Sequence, residues 1–260
     1  MNELINKNNR RSFLRKSMLL GTGAWLSIPE VLKANTRVAS KSGTGENFTF
    51  LFQGDSITDG NRSRNMDWNH VMGHGYAYIT ASKLWYEFPE KRFHFFNRGI
   101  SGNKITDLAA RWDEDALALK PDLLSILVGI NDVGTLIKGD TNFTAEQFEE
   151  KYRALLQRTK NDLPRVQLVI CEPFILPVGK VKDNRDLYDR EVKKRQEVTR
   201  KLAAEFDAIY IPFQDSFNKA LKKAPADYWI WDGIHPMPAG HELMALEWIK
   251  QVSKKLKFIA

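Results

Sequence analysis

The stretch FLFQGDSITDG, residues 50–60, changes from apolar to polar within a few positions. Its first half is a largely apolar run, which is typical of a strand buried on both faces of a parallel sheet. Gly54, Asp55 and Ser56 follow where such a strand ends. A serine on a tight turn into a helix is well placed to act as a nucleophile near the helix N-terminus. Asp and Ser are also the commonest residues that cap a helix, so this stretch alone leaves both interpretations open.

Apolar runs like this one recur along the chain and alternate with longer segments of helical periodicity. This alternation predicts an α/β fold with a five-stranded parallel sheet covered by helices on both faces, in a single domain spanning residues 46–258. The predicted strands are 48–54, 93–99, 123–129, 166–173 and 208–213. The predicted helices are 74–88, 105–119, 144–161, 186–206, 214–223 and 239–255.

The formal charge of +7 is concentrated at the front of the chain. Residues 1–40 hold seven of the 39 basic residues and two of the 32 acidic ones, which leaves a charge of only +2 on the rest. Nucleic acid is therefore not an expected partner. The basic run within 186–206 places Leu187, Val198 and Leu202 near one helical face, which predicts a solvated surface helix with its charges turned away from the core.

The segment 1–40 resembles a twin-arginine export signal, because Arg10-Arg11-Ser12-Phe13-Leu14 precedes a short apolar run. That run is shorter than the roughly 20 residues a bilayer span requires, so no stable membrane span is expected once the leader is removed. The protein is expected to be exported to the periplasm or the extracellular space. Its single cysteine, Cys171, lies in an apolar run and is interpreted as a core residue.

Three further groups of polar residues and glycines are expected at the same edge of the sheet, where parallel α/β proteins bind ligands. Gly99 and Gly102 follow the second predicted strand and permit close approach of a backbone N–H to a ligand oxygen. Asn131 follows the third strand and offers a side-chain donor. Taken singly, two glycines after a strand usually form only a turn, and turn chemistry is also the favoured interpretation of Asn131-Asp132.

The last group is Asp232-Gly233-Ile234-His235, just ahead of the final predicted helix. This spacing allows Asp232 to accept the Nδ1–H of His235 while Nε2 faces Ser56, and a neutral imidazole is the usual general base for a serine. A capping or core role for the histidine is the alternative. His70 and His74 are spaced like a metal pair, but no carboxylate or cysteine stands at matching positions, so no metal site is expected.

Together, the blocks GDSITDG, NRGISGNKITD, VGIND and DGIHPMPAGH resemble the four sequence blocks of the SGNH (GDSL-type) esterase superfamily. The resemblance implies a flavodoxin-like three-layer α/β/α sandwich, two-step acyl transfer and no cofactor. It implies Ser56 as nucleophile, His235 as base and Asp232 as orienting acid. It further implies an oxyanion hole from the backbone N–H groups of Ser56 and Gly102 and the side chain of Asn131.

Within the superfamily the chain is most similar to bacterial xylan acetylesterases, across the stretches 73–103, 120–133 and 224–248. The resemblance implies removal of acetyl groups from acetylxylan or a related carbohydrate, or cleavage of another small acyl ester. The members compared are cytoplasmic, so the leader is a departure from their pattern. Substrate contact is expected from Trp231, since flat aromatic faces suit sugar rings. Asp55 and His74 are also expected to contact the substrate.

Three other functions compete with this one. A lipid esterase or lysophospholipase would use the same triad, and preference for long acyl chains would identify it. A glycan-binding module without catalysis would have no use for Ser56, Asp232 and His235 together. Phosphoryl transfer through Asp55 lacks the second acid and the phosphate-binding loop such chemistry needs. Self-association into a homo-oligomer is left open by the sequence.

Overall fold

Five parallel strands form the centre of this computed structural model, which describes residues 44–65 and 67–260. Their order across the sheet is β2-β1-β3-β4-β5. The chain therefore leaves β1 toward one edge and then crosses to β3 on the other side, which makes the β1–β3 border the switch point where ligands bind in such sheets. The strands are β1 Thr49–Gly54, β2 His94–Asn97, β3 Leu123–Leu127, β4 Gln167–Cys171 and β5 Ile209–Ile211.

The strands are connected by helices, and the described residues contain α-helices α1 to α11. Short 3₁₀ turns at 89–91, 117–119, 141–143 and 257–259 complete the described elements. The helices are α1 Ser56–Asp59, α2 Tyr76–Glu87, α3 Ile105–Ala110, α4 Trp112–Asp115, α5 Ile130–Ile137, α6 Ala145–Asp162, α7 Gly179–Asp183, α8 Arg185–Glu205, α9 Phe213–Ala220, α10 Ala226–Trp229 and α11 Pro238–Val252.

The sheet is buried on both faces, as continuous apolar strands require. In β1, Phe50 and Phe52 pack into one hydrophobic core with Tyr76 of α2 and Trp248 of α11. Leu51 points to the opposite core, which α3, α4, α6 and the second half of α8 cover. The predicted three-layer α/β/α fold with a five-stranded parallel sheet is confirmed.

The helices before and after β3 differ from the prediction. The predicted helix 105–119 is broken at Arg111, whose guanidinium bonds the side chain of Asn103 at 2.8 Å and the carbonyl of Arg98 at 2.8 Å. No helix was predicted directly after β3, where Asn131-Asp132 was interpreted as turn chemistry, but residues 130–137 form helix α5. Gly129 has φ +127°, a value that side-chain-bearing residues rarely adopt, and so permits a sharp turn from β3 into that helix.

Most charged residues of helix α8 are exposed, as predicted, but Glu191 and Arg195 are buried. Arg195 is fully buried, forms an ion pair with Glu191 at 2.7 Å, and donates to the carbonyl of Phe143. A buried charge requires such partners, and the terminal nitrogens of Arg195 have them, whereas its Nε has none among the described residues.

The predicted leader, residues 1–40, lies outside the described residues, and its role stays a prediction. Within residues 44–65 and 67–260, no helix combines the length and apolar content needed to cross a membrane. Cys171 is fully buried at the end of β4, in agreement with its interpretation as a core residue.

Candidate active site

Ser56 stands at the first position of α1, immediately after β1. The chain can turn here because Asp55 caps the helix, its Oδ1 accepting the N–H of Ile57 at 3.0 Å. The serine is part-exposed, whereas Asp55 beside it is fully buried. Both interpretations of the opening stretch therefore hold at once, with Asp55 as the helix cap and Ser56 presented at the sheet edge.

His235 reaches this serine from the far end of the chain. The Oγ of Ser56 and the Nε2 of His235 are 2.9 Å apart, and the Nδ1 of His235 lies 2.8 Å from the Oδ2 of Asp232. A carboxylate only accepts, so Nδ1 carries the ring hydrogen and Nε2 accepts from the serine hydroxyl. Serine, histidine and aspartate thus form one continuous hydrogen-bonded chain across three segments of the sequence.

The Asp232–His235 turn is held by its own backbone. Oδ1 of Asp232 accepts the N–H of Ile234 at 3.0 Å and the N–H of His235 at 2.7 Å, and the N–H of Trp231 donates to the carbonyl of His235 at 3.1 Å. Helix α11 begins three residues later, at Pro238, whose fixed φ suits the first helical turn. The imidazole is therefore mounted on a short, internally bonded turn.

Hydrogen bonds keep Asp232 ionised despite its burial. Burial raises the pKa of this carboxyl, but the N–H and ring of His235, the N–H of Ile234 and Lys180 together bring the pKa well below its usual range. The Nζ of Lys180 lies 3.0 Å from Oδ2, the oxygen that also faces the imidazole. The aspartate is thus a fixed negative charge over the working pH range.

The loop after β2 is bonded to the helix that carries the serine. Asn97 donates from Nδ2 to the carbonyls of Thr58 at 2.7 Å and Met72 at 2.9 Å, and its Oδ1 accepts the N–H of Gly99 at 2.9 Å. A side chain at Gly99 would collide with the backbone of Asp59, since an added Cβ would lie 2.3 Å from its nitrogen. These contacts position the following residues, 100–103, beside α1.

Donors for a negatively charged oxygen converge on the same edge. In the described part of the chain, the N–H groups of Ser56 and Gly102 have no hydrogen-bond acceptor. Gly102 has φ +83° and is exposed. Asn131 uses one hydrogen of its amide on the carbonyl of Asn103 at 3.1 Å, which leaves a second N–H available. Unpaired donors of this kind can stabilise a developing oxyanion.

The three residues expected to contact substrate lie in different environments. Trp231 is 61% exposed and stacks on the His235 ring with centroids 6.0 Å apart. His74 is exposed and lies close enough to the buried His241 to add, after burial, to the lowering of the pKa of His241. The expectation for Asp55 is corrected, because this side chain has no exposed surface with which to touch a substrate.

Sequence reasoning missed two residues at this site. Lys180 enters from α7 and binds the catalytic candidate Asp232, although nothing in the run PVGK marks it. His241 accepts the N–H of Tyr76 on Nδ1 at 3.1 Å, and burial, followed by the charges of His74 and His235, lowers its pKa to about 4. A neutral, fixed His241 therefore joins α11 to α2 behind the site. Its place in the GIHPMPAGH block was the one available signal.

The fold and this edge of the sheet define a carboxylic ester hydrolase, and the chain belongs to the GDSL-like Lipase/Acylhydrolase family, whose model matches residues 52–243. It is 33% identical over 221 residues to the acetylxylan esterase of Geobacillus stearothermophilus, covering 82% of this chain and 96% of the relative.

Solved structures of an esterase and of a GDSL-like lipase are also similar to this chain. A protein described as a GDSL-like lipase from Parabacteroides merdae is 40% identical, with TM-score 0.76 over 82% of this chain and 97% of that one. The acetylxylan esterase Axe2 of Geobacillus stearothermophilus is 31% identical, with TM-score 0.71 over 80% of this chain and 95% of that one. Structures of Axe2 include catalytic mutants in which a serine or an aspartate is replaced by alanine.

Proposed function

We propose that this esterase removes O-acetyl groups from a carbohydrate, acetylxylan or a related glycan, by acyl transfer through Ser56, His235 and Asp232. The observation that carries the proposal is the pair of short contacts, 2.9 Å from Ser56 Oγ to His235 Nε2 and 2.8 Å from His235 Nδ1 to Asp232 Oδ2. The similarity to acetylxylan esterases supports the choice of acetyl group and sugar.

In the first half of the reaction, Nε2 of His235 takes the hydroxyl proton of Ser56 as Oγ bonds to the ester carbonyl carbon. Asp232 holds the Nδ1–H and stabilises the imidazolium that forms. The carbon–oxygen bond to the sugar then breaks, and His235 returns the proton to the departing sugar hydroxyl. The acetyl group remains on Ser56.

In the second half, water replaces the sugar hydroxyl. His235 removes a proton from the water as its oxygen attacks the acetyl-Ser56 carbonyl, and Oγ leaves with the proton from Nε2. Both tetrahedral intermediates carry negative charge on the former carbonyl oxygen. The unpaired N–H groups of Ser56 and Gly102 and the free amide hydrogen of Asn131 are the donors we assign to it.

The exposed face of Trp231 supports a carbohydrate substrate. Its ring stacks on His235 at an interplanar angle of 24° and is 61% exposed, so an aromatic surface suited to a sugar ring borders the imidazole. We assign sugar contact to Trp231 and a peripheral contact to His74. Export through the leader is part of the same proposal, because it would bring the enzyme to decorated polysaccharide fragments outside the cytoplasm.

The test is acetate release from a panel of acetylated glycans, combined with p-nitrophenyl esters of increasing chain length. We expect acetate release from acetylated xylo-oligosaccharides and a kcat/KM for the acetate ester far above that for the octanoate. A preference for the octanoate would overturn the carbohydrate proposal and favour a lipid esterase on the same residues.

A further inference from the structure

A second concave site lies beside the edge strand β2, and neither Ser56 nor His235 lines it. It is a cavity of about 440 Å³ with a mixed lining. Aromatic and aliphatic side chains, among them Trp68, Phe95 and Phe96, form its walls, and Arg62, Arg64 and Arg98 bring three guanidinium groups to it.

The cavity has more positive charge than its acids neutralise. Arg64 pairs with Asp59 at 2.7 Å. Arg98 lies 3.6 Å from Asp115, but that carboxylate is held more closely by Arg111, at 2.7 Å. The third guanidinium, that of Arg62, is therefore left without a carboxylate of its own.

Arg62 is the residue that points to a ligand. It is half-buried, and its Nε donates to the carbonyl of Gly99 at 3.0 Å, while its two terminal nitrogens bond no other described residue. Burial, and then the charges of Arg64 and Arg98, lower the pKa of this guanidinium to about 10. A crowded, partly desolvated guanidinium with a free fork is stabilised by an incoming anion.

The lining selects among anions. A guanidinium fork matches the planar geometry of a carboxylate in a two-bond contact. Aromatic walls suit the flat face of a sugar ring. Building on the function proposed above, we propose that this cavity binds the carboxylate-bearing ring of a uronic acid attached to the acetylated oligosaccharide.

The cavity and the active site share a wall. Ile100 lines the cavity, and Gly102, two residues further along the chain and so at most roughly 7 Å away, carries one of the N–H groups that we assign to the oxyanion. Asp59 joins the two sides, because its Oδ2 accepts from Arg64 at 2.7 Å and from the N–H of Ser101 at 3.0 Å. A uronic acid bound here belongs to the sugar being deacetylated or to its neighbour.

The test compares two acetylated xylo-oligosaccharides that differ only in one uronic acid branch. For the wild-type enzyme we expect KM for the acidic substrate to be about tenfold lower, with similar kcat. Arg62→Met should remove that advantage, so that its KM values for the two substrates become equal, and Arg64→Met should reduce it in part. Arg185→Met, which replaces an exposed arginine at the start of α8 that pairs with Asp189 and does not line the cavity, is the matched control.

Calorimetry on Ser56→Ala supplies a readout that needs no turnover. We expect the deacetylated acidic oligosaccharide to bind more tightly than its neutral counterpart, and more tightly than inorganic phosphate, with the preference lost in Ser56→Ala/Arg62→Met. Equal KM values for the two substrates, or phosphate binding as tight as the uronic acid, would overturn the uronic acid site. Failure to cleave either substrate, with binding retained, would instead overturn the deacetylase proposal alone.

Discussion

Asp55 and Asp232 stand on opposite sides of the serine and histidine and have opposite electrostatic character. Burial by itself acts to raise the pKa of both carboxyls, and hydrogen bonds oppose it to different extents. Asp232 receives hydrogen bonds from two backbone N–H groups, an imidazole and Lys180, and its pKa falls well below the usual range. Asp55 accepts a single hydrogen bond, from the N–H of Ile57, and its other oxygen has no partner among the described residues. The pKa of Asp55 therefore rises to about 7.

Burial and the number of donors together decide which aspartate can serve as the charged member of a triad, because Asp55 is both more deeply buried and less well bonded than Asp232. An ionised Asp232 can stabilise an imidazolium. A neutral Asp55 caps α1 without placing negative charge beside the position where an oxyanion would form. Asp132, next to Asn131, behaves like Asp55, because burial raises its pKa to about 6.

The largest effect should come from removing the negative charge of Asp232. In Asp232→Asn the backbone bonds to Ile234 and His235 can persist, but the amide no longer fixes the Nδ1–H tautomer. We expect kcat to fall roughly 10³- to 10⁴-fold with the thermal midpoint little changed. A loss under tenfold in steady-state assays would show that Asp232 is not the orienting acid.

Removing the side-chain amide donor of Asn131 should have the next largest effect. For Asn131→Ala we expect kcat to fall roughly 10²- to 10³-fold with KM nearly constant, because an oxyanion donor acts mainly in the transition state. Asn131→Asp, which keeps the size of the side chain but not the N–H, should behave similarly. Unchanged kcat in both variants would remove Asn131 from the oxyanion hole.

Asp55→Asn should change stability rather than turnover. Because the folded pKa is raised to about 7, the folded protein holds a proton that the unfolded chain releases near pH 4, so this group's contribution to stability is lost as pH rises between those values. The wild type minus Asp55→Asn difference in unfolding free energy should decline by up to about 1.4 kcal/mol per pH unit over that window.

Urea unfolding of both proteins from pH 4.5 to 7 measures this slope, and kcat at pH 6 should stay within roughly threefold of the wild type, since the amide resembles a protonated carboxyl. Parallel stability curves would mean that Asp55 is ionised throughout, and the contrast with Asp232 would fail.

Lys180→Met should have the smallest effect. Its ammonium lies against the oxygen that faces the imidazole, so its loss removes one of the donors that hold Asp232. We expect kcat to fall by roughly two- to threefold, since the lysine is half-exposed and screened. High salt should narrow this difference. Lys182→Met on the same helix is the control, and equal kcat for Lys180→Met and wild type would exclude this coupling.

Local patterns in the sequence predicted the sheet and most of the helices, because buried strands and amphipathic helices repeat at fixed periods. Helix α5 was missed because its entry depends on the backbone of Gly129 rather than on a periodic pattern. The helix predicted over 105–119 was too long because Arg111 forms contacts distant in sequence, with the loop after β2.

Motifs located Ser56, Asp232 and His235, which the structure brings together. They did not reveal Lys180 or the burial of Asp55. Lys180 meets Asp232 only because Gly179, at φ +50°, passes so close that an added Cβ would lie 2.7 Å from the Asp232 backbone. Approaches of that kind are set by packing between distant segments, which a single sequence does not encode in any local pattern.

The central claim is that the Ser56 hydroxyl is the group that attacks the ester. The most direct measurement is mass spectrometry of the protein after reaction with an alkyl fluorophosphonate, which forms a phosphorus–oxygen bond to an activated serine and releases fluoride. We predict one adduct, on the peptide that contains Ser56, with loss of labelling and of esterase activity in folded Ser56→Ala. An adduct on a different residue, or a Ser56→Ala enzyme with near wild-type turnover, would contradict the account.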